Sequence, residues 1–313
     1  MGRLAIFLTG LGLCGMFTPV LAEKPETNRN ARDGAEMILI PAGRFLMGST
    51  SEETDAQFVD TGLPVDWKKH ALDEQPRHLE VVKPFYLYKY EVTNAQYQSF
   101  LKATGHRSPP HWKGKTLPKG KEKHPVVEVN WDDAKKYCDW AGTQLPTEIQ
   151  WEYAARGGVR DKGVIRSVLS LLSITPKVKN PGRVFPWGDK WDRQLSNNSS
   201  LHAGRELQSA KDWDKWYKSD QKKNFPLTTP VGSFPKGVSP FGVHDMAGNA
   251  WEWCAGNQAP YKDSKSETKP KDFRARRGGS WANVALHIRS ADRQGAPRGN
   301  LNIYTGFRCA CKP

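Results

Sequence analysis

Asp245 and Glu252 lie seven residues apart in HDMAGNAWEWCAG, on either side of a Gly-Asn turn. A tight loop there brings two carboxylates and the backbone carbonyls between them onto one hard cation, and calcium takes such an oxygen cage. A turn leading into a strand, with the acid pairing an arginine, explains the same spacing equally well. Further on, RGGSWANVALHIRSADR sets Ser280, Trp281, Asn283, His287 and Arg289 behind a glycine pair. With Trp251 these side chains offer aromatic walls, hydrogen-bonding groups and one titratable ring. His287 could act as a general base if a proton must be removed. With no identified acid partner it reads more simply as a surface or packed residue. Arg289, Arg293 and Arg308 are expected to neutralise buried carboxylates such as Glu148, Glu152 or Glu252 rather than a ligand.

Helices and strands must hold these groups in place. In TNAQYQSFLKAT a Thr93 or Asn94 cap precedes Tyr97, Phe100 and Leu101 on one face. In NWDDAKKYCDWAG, Asn130 caps a helix whose stripe is Trp131, Ala134 and Cys138, so Cys138 points inward. LPTEIQWEYAARGG carries Thr147 three residues before Gln150, a capping box, and stops at Gly157-Gly158. MILIPAGRFLMGS predicts two short strands reversed at Pro41-Ala42-Gly43, and HLEVVKPFYLYKYEVTN has strand-like composition. Residues 50–76 and the Lys- and Trp-rich stretch up to Phe225 read as irregular. Residues 159–183 read as an insertion.

Arg3, the apolar run Leu4–Leu21 and the small residues of VLA match a secretory leader cleaved after Ala22. Gly10, Gly12, Gly15 and Pro19 weaken the alternative of an uncleaved anchor. Cys14 follows Leu13, where a lipid-attachment site wants a small residue. Residues 23–35 are polar and read as a flexible lead-in. The expected location is therefore periplasmic or secreted, with no stable membrane insertion after cleavage. The net charge of +14 attracts acidic partners, but the lysines are scattered through loops such as HWKGKTLPKGKEKH and form no base-reading motif, so nucleic acid is not an expected partner. Cys138, Cys254, Cys309 and Cys311 remain in the exported chain, which suggests two disulfides among three possible pairings. A zinc site needs convergent ligands at short spacing, and only CAC comes close. Twelve tryptophans with many glycines and prolines argue for a loop-rich fold over a helical bundle.

In order and spacing, LPTEIQWEYAARGG, FPWGD, HDMAGNAWEWCAG, RRGGSW, RSADR and GFRCA resemble the sulfatase-modifying-factor family, whose best-known member is the formylglycine-generating enzyme. The resemblance covers residues 36–311 and implies one compact α/β domain, occupying 36–313, related to C-type lectins and low in regular secondary structure. It implies a structural calcium site at Asp245, the carbonyls of Gly248 and Ala250, and Glu252. A second family calcium site falls near Asn198 and Phe225, where Lys223 stands in place of an acid. Cys138 and Cys309 match bonded family cysteines. A second family bridge would need cysteines at Ala155 and Ser290, and both are absent. Cys254 and Cys311 have no counterpart and are expected to pair with each other, with two free thiols as the alternative.

In the formylglycine-generating enzyme two cysteines after GGS bind copper and activate oxygen. The first aligns with Asn283 and the second falls in a segment about three residues shorter, VALHIRS. Cu(I) is selected by thiolates and an amide oxygen is a hard donor, so no copper is expected. The family groove maps to Trp251, Ser280, Asn283 and His287 as candidate catalytic residues, with Trp281 and Arg289 as substrate contacts. The chain looks more like the periplasmic members acting late in pyoverdine siderophore biosynthesis. The implied function is an exported maturation or modifying factor, with oxidoreductase chemistry as one form, acting on an exported peptide, protein or siderophore-type small molecule by a route other than the two-cysteine copper mechanism. The competing reading is a lectin-like module that binds a peptide, glycan or partner protein without turnover. Formylglycine generation by a displaced thiol pair, Cys254 and Cys311, is a third.

Overall fold

A computed structural model describes residues 26–61, 71–158, 183–220 and 226–313. The leader and all but the last residue of the insertion at 159–183 lie outside the described residues, as do Lys223 and Phe225. Among the described residues no helix is long and apolar enough to cross a membrane.

The strands are β1 (Thr27–Arg29), β2 (Glu36–Ile40), β3 (Gly43–Met47), β4 (His78–Val82), β5 (Phe85–Tyr88), β6 (Trp251–Asn257), β7 (Phe273–Arg277), β8 (Arg293–Pro297), β9 (Thr305–Gly306) and β10 (Ala310–Cys311). They form an antiparallel sheet β1-β2-β5-β10, a two-stranded sheet β3-β4, and a sheet β8-β7-β6-β9 in which β6 and β9 run parallel. The two runs flanking Pro41-Ala42 are strands, as expected, but they do not pair with each other. β2 joins β5, while β3 joins β4, so the turn passes the chain from one sheet to another.

The three expected helices form with their expected caps. Thr93 caps α2 (Asn94–Thr104), Asn130 caps α3 (Trp131–Trp140) and Thr147 caps α4 (Glu148–Arg156), each with a reciprocal capping box. Before them α1 (Ser51–Thr61) occupies part of the stretch expected to be irregular. Thr50 Oγ1 accepts from the Glu53 N–H at 3.2 Å and Glu53 Oε2 from the Thr50 N–H at 3.0 Å, a signature present in the sequence as Thr-x-x-Glu. The Trp-rich stretch also holds helices. Asn198 caps α5 (Ser199–Ala203), and α6 (Ala210–Asp220) turns Trp213, Trp216 and Tyr217 onto one side at helical spacing.

One apolar cluster joins α2 and α3 to Trp253, Phe307 and the Cys138–Cys309 disulfide, whose Cα atoms lie 5.9 Å apart. A second packs α4 against β2, β3, β5 and the inner face of β6 and β7. A third gathers Trp216, Trp281, Val284 and Leu286.

Candidate functional site

The interior is laced with ion pairs because α4 presents Glu148 and Glu152 to the sheet beneath it. Arg277 Nε lies 3.0 Å from Glu148 and its Nη2 2.7 Å from Glu152. Arg293 Nε donates to Glu148 at 2.9 Å, and Arg156 to Glu152 at 2.9 Å. Arg308 clasps Glu252 at 2.6 and 2.7 Å. The expectation for Arg293 and Arg308 therefore holds. Arg289 also takes a core carboxylate, at 2.5 and 2.9 Å, but the partner is Glu74 from the acidic stretch. As a substrate contact Arg289 is poorly placed. It is buried and its fork is committed, although it borders a cavity of about 210 Å³ with Ser49, Glu53, Arg156 and Asp189.

The Asp245–Glu252 segment is a strained turn. Asp245, Gly248 and Asn249 all take positive φ, and a Cβ on Gly248 would strike the Asn197 carbonyl oxygen. The turn encloses Glu91, which sequence reasoning missed. Its carboxylate accepts from Asn249 Nδ2 at 2.6 Å and the Ala250 N–H at 3.0 Å. Asp245 accepts from the Gly232 N–H at 2.7 Å. Glu91, Asp245 and Glu252 are all buried and share the single guanidinium of Arg308. Burial, followed by the charges of Asp245 and Glu252, holds the Glu91 carboxyl well above its ordinary range, and burial pushes Asp245 up to about 6. This surplus of buried negative charge suits a cation. Ligand geometry is less complete. Both oxygens of Glu252 are held, by Arg308 and by Trp151 Nε1 at 2.7 Å, and among the described residues no three His, Cys, Asp or Glu side chains converge as metal ligands.

The groove candidates separate into two groups. Ser280 N–H and Oγ both donate to Asn283 Oδ1, at 3.0 and 2.7 Å, closing a small turn after Gly278-Gly279. Asn283 thus satisfies its own loop, and its backbone carbonyl receives the Ser199 N–H at 3.0 Å. A Cβ on Gly279 (φ +72) would meet Ile288 and the His287 carbonyl, so the second glycine of the pair is sterically required. Trp281 is fully buried, donates to the Ile303 carbonyl at 3.1 Å and packs on Tyr304. It belongs to the core and walls no open groove in the described structure.

The second group meets on the other face of the β6–β8 sheet. His287 stands on a 3-10 turn, Ala285–Ile288, with Nδ1 at 3.1 Å from Gln294 Nε2 and 3.5 Å from Asp292 Oδ1. The missing acid partner is thus Asp292. Its carboxylate is buried with neither oxygen hydrogen-bonded, and Arg289 Nη2 lies 3.9 Å away. Gln294 Oε1 in turn accepts from Arg276 Nη2 at 3.2 Å, and the Arg276 guanidinium lies 5.0 Å above the Trp251 ring. Arg276, Asp292 and Gln294 were invisible as site residues in the sequence. Strand alternation separates Arg276 from Arg277, but nothing in an Arg-Arg pair says which face is buried against acids.

Cys254 and Cys311 do not pair. Alternation along β6 turns Cys254 away from Trp251 and Trp253 into the cluster beneath α4, whereas Cys311 on β10 contacts Met37 Sδ at 3.9 Å. Both are free thiols, against the expected pairing, because they sit in different sheets facing different clusters. Burial pushes both thiols up, Cys254 the further.

The chain matches the family described as Sulfatase-modifying factor enzyme 1-like domain over residues 22–313. It is 28% identical over 349 residues to the formylglycine-generating enzyme of Streptomyces coelicolor, covering 94% of each chain. To the inactive C-alpha-formylglycine-generating enzyme 2 of Bos taurus it is 26% identical over 321 residues, covering 88% of this chain and 87% of that one. Among solved structures, PvdO from Pseudomonas aeruginosa superposes with a TM-score of 0.59 at 25% identity, over 93% of this chain and all of the other. With the motifs, the sheet order and this match spanning nearly its whole length, the chain belongs to the sulfatase-modifying factor enzyme 1-like family.

Proposed function

We propose that this protein is an exported maturation or modifying factor acting on a peptide, protein or siderophore-type small molecule, by chemistry other than the two-cysteine copper route. The observation that carries this reading is Asn283, an amide at the position of the first family thiol, tied to Ser280 within its own turn. The displaced-thiol alternative loses its support, since Cys254 is buried and Cys311 lies in another sheet.

His287 carries the proton transfer in this reading. Arg276 donates to the Gln294 oxygen, which turns the Gln294 amide nitrogen toward His287 Nδ1. With Nδ1 accepting from Gln294, the ring presents Nε2–H as a donor to developing negative charge. A role as hydrogen-bond donor fits this arrangement better than the general base that the sequence left as one option. Calcium, held by Asp245, the carbonyls of Gly248 and Ala250, and Glu252, would offset the buried carboxylates and brace the turn that leads into Trp251. Adding calcium to chelator-treated protein should raise its melting temperature, and calorimetric scans would check this.

The purified protein should be offered a sulfatase-type cysteine peptide and, separately, siderophore precursors, with oxygen uptake and product masses recorded. The cysteine peptide should yield no aldehyde. A substrate that does turn over should slow by about 10²- to 10⁴-fold in His287→Gln, the range of a lost acid–base group. Aldehyde formation, or turnover indifferent to that substitution, would refute the proposal. Saturable binding without turnover would establish the second reading, a binding module.

A further inference from the structure

The fully buried arginines of this protein share a pattern that the half-buried Arg276 does not follow. Arg156, Arg277, Arg289 and Arg308 each have a carboxylate within 3 Å. Arg276 has none within 4 Å among the described residues. Its hydrogen bonds go to neutral oxygens, Thr305 Oγ1 at 3.1 Å and Gln294 Oε1 at 3.2 Å, and its Nε has no partner. Burial drives the Arg276 pKa down to about 10, with only the more distant Asp292 opposing this. A desolvated guanidinium without an anion is costly, and the fold retains one here beside the only titratable ring of the groove candidates. The residue as a whole is half-buried, so the fold does not enclose it completely.

We infer that Arg276 is an anion-recognition residue that receives a carboxylate group of the ligand, beside the Gln294 side chain that links it to His287. The stacking on Trp251 fixes the plane of the guanidinium, and a fixed planar fork suits a planar carboxylate more than a tetrahedral anion. Arg274 strengthens the attraction. It lies on the same face two residues along β7, stacked 4.9 Å over Trp131, and it too has no carboxylate partner among the described residues. The face therefore presents cations backed by aromatic rings, which suits a carboxylate attached to an apolar or aromatic body. The carboxylate could be an acidic side chain or a chain terminus. The inference rests on the proposed function only for what His287 does once the ligand is anchored.

Calorimetric titration of the full chain with N-acetylglutamate α-amide, N-acetylglycine and N-acetylglutamine α-amide tests it. The first two carry a side-chain and a terminal carboxylate, and the third is the neutral isostere. At least one carboxylate should bind saturably and the neutral amide should not. Affinity should fall at least about tenfold in Arg276→Gln, partly recover in Arg276→Lys, and be retained in Arg205→Gln, whose side chain is exposed and paired with Asp212. If neither carboxylate binds the wild type, if the neutral amide binds as tightly as they do, or if folded Arg276→Gln binds as the wild type does, the inference is overturned. Should Arg276→Gln not fold, the discrimination between carboxylate and amide and the Arg276→Lys affinity decide. Carboxylate binding lost in Arg276→Gln by a protein that turns nothing over would uphold this site and remove the catalytic reading. Turnover indifferent to Arg276→Gln would do the reverse.

Discussion

Single side chains decide what chemistry this scaffold can perform. The Asn283 amide folds back on Ser280, and a polar chain runs through Arg276, Gln294, His287 and Asp292. A second histidine, His124, is buried and bonds Thr228 Oγ1 at 3.0 Å. Burial, then the nearby Lys121 charge, lowers its pKa from 6.5 to about 4. The folded form thus binds fewer protons than the unfolded form between those values. The stability contributed by the neutral ring is present above about pH 6.5 and drains away as pH falls toward 4. Melting temperatures measured across that window should fall less steeply in His124→Gln than in the wild type; parallel curves would show that His124 does not titrate with unfolding.

At the scale of elements, α4 organises the interior. Its capping box sets the register in which Glu148 and Glu152 meet Arg277 and Arg293, while Trp151 between them reaches Glu252. Helix and charge lattice therefore depend on the same start. Thr147→Ala removes the side-chain acceptor for the Gln150 N–H and should cost about 1 kcal/mol in denaturant unfolding. These helix starts were legible because Ser, Thr and Asn caps act locally. The same logic applied to Thr50 and Glu53 would have found α1, and the Trp213, Trp216, Tyr217 spacing would have found α6. High charge and a Lys-rich composition concealed both, since the capping and periodic residues are few among many polar ones.

For the whole molecule, the Cys138–Cys309 bond joins α3 to the residue just before β10 and closes a separation of 171 residues. Long closed loops lose much entropy in the unfolded chain, so Cys309→Ser should destabilise the protein by about 2–5 kcal/mol, seen as a lower denaturation midpoint. Thiol labelling should remain confined to Cys311 in the folded protein, because Cys254 is enclosed beneath α4. With short strands spread over three sheets, cohesion comes from buried ion pairs and aromatic clusters as much as from backbone ladders.

The sequence by itself determined the family, the three capped helices, the inward-facing Cys138 with its partner, and the absence of a thiol at 283, because each depends on residue identity or on contacts within a few positions. Only the tertiary structure decided that β2 and β3 enter different sheets, that Arg289 meets Glu74, that Trp281 is core, and that Arg276, unlike Arg156, Arg277, Arg289 and Arg308, has no acid beside it among the described residues. Such facts arise where segments well separated in sequence are pressed together. Whether a charge there finds its counter-ion depends on which face of a strand it occupies and what the distant chain lays over it.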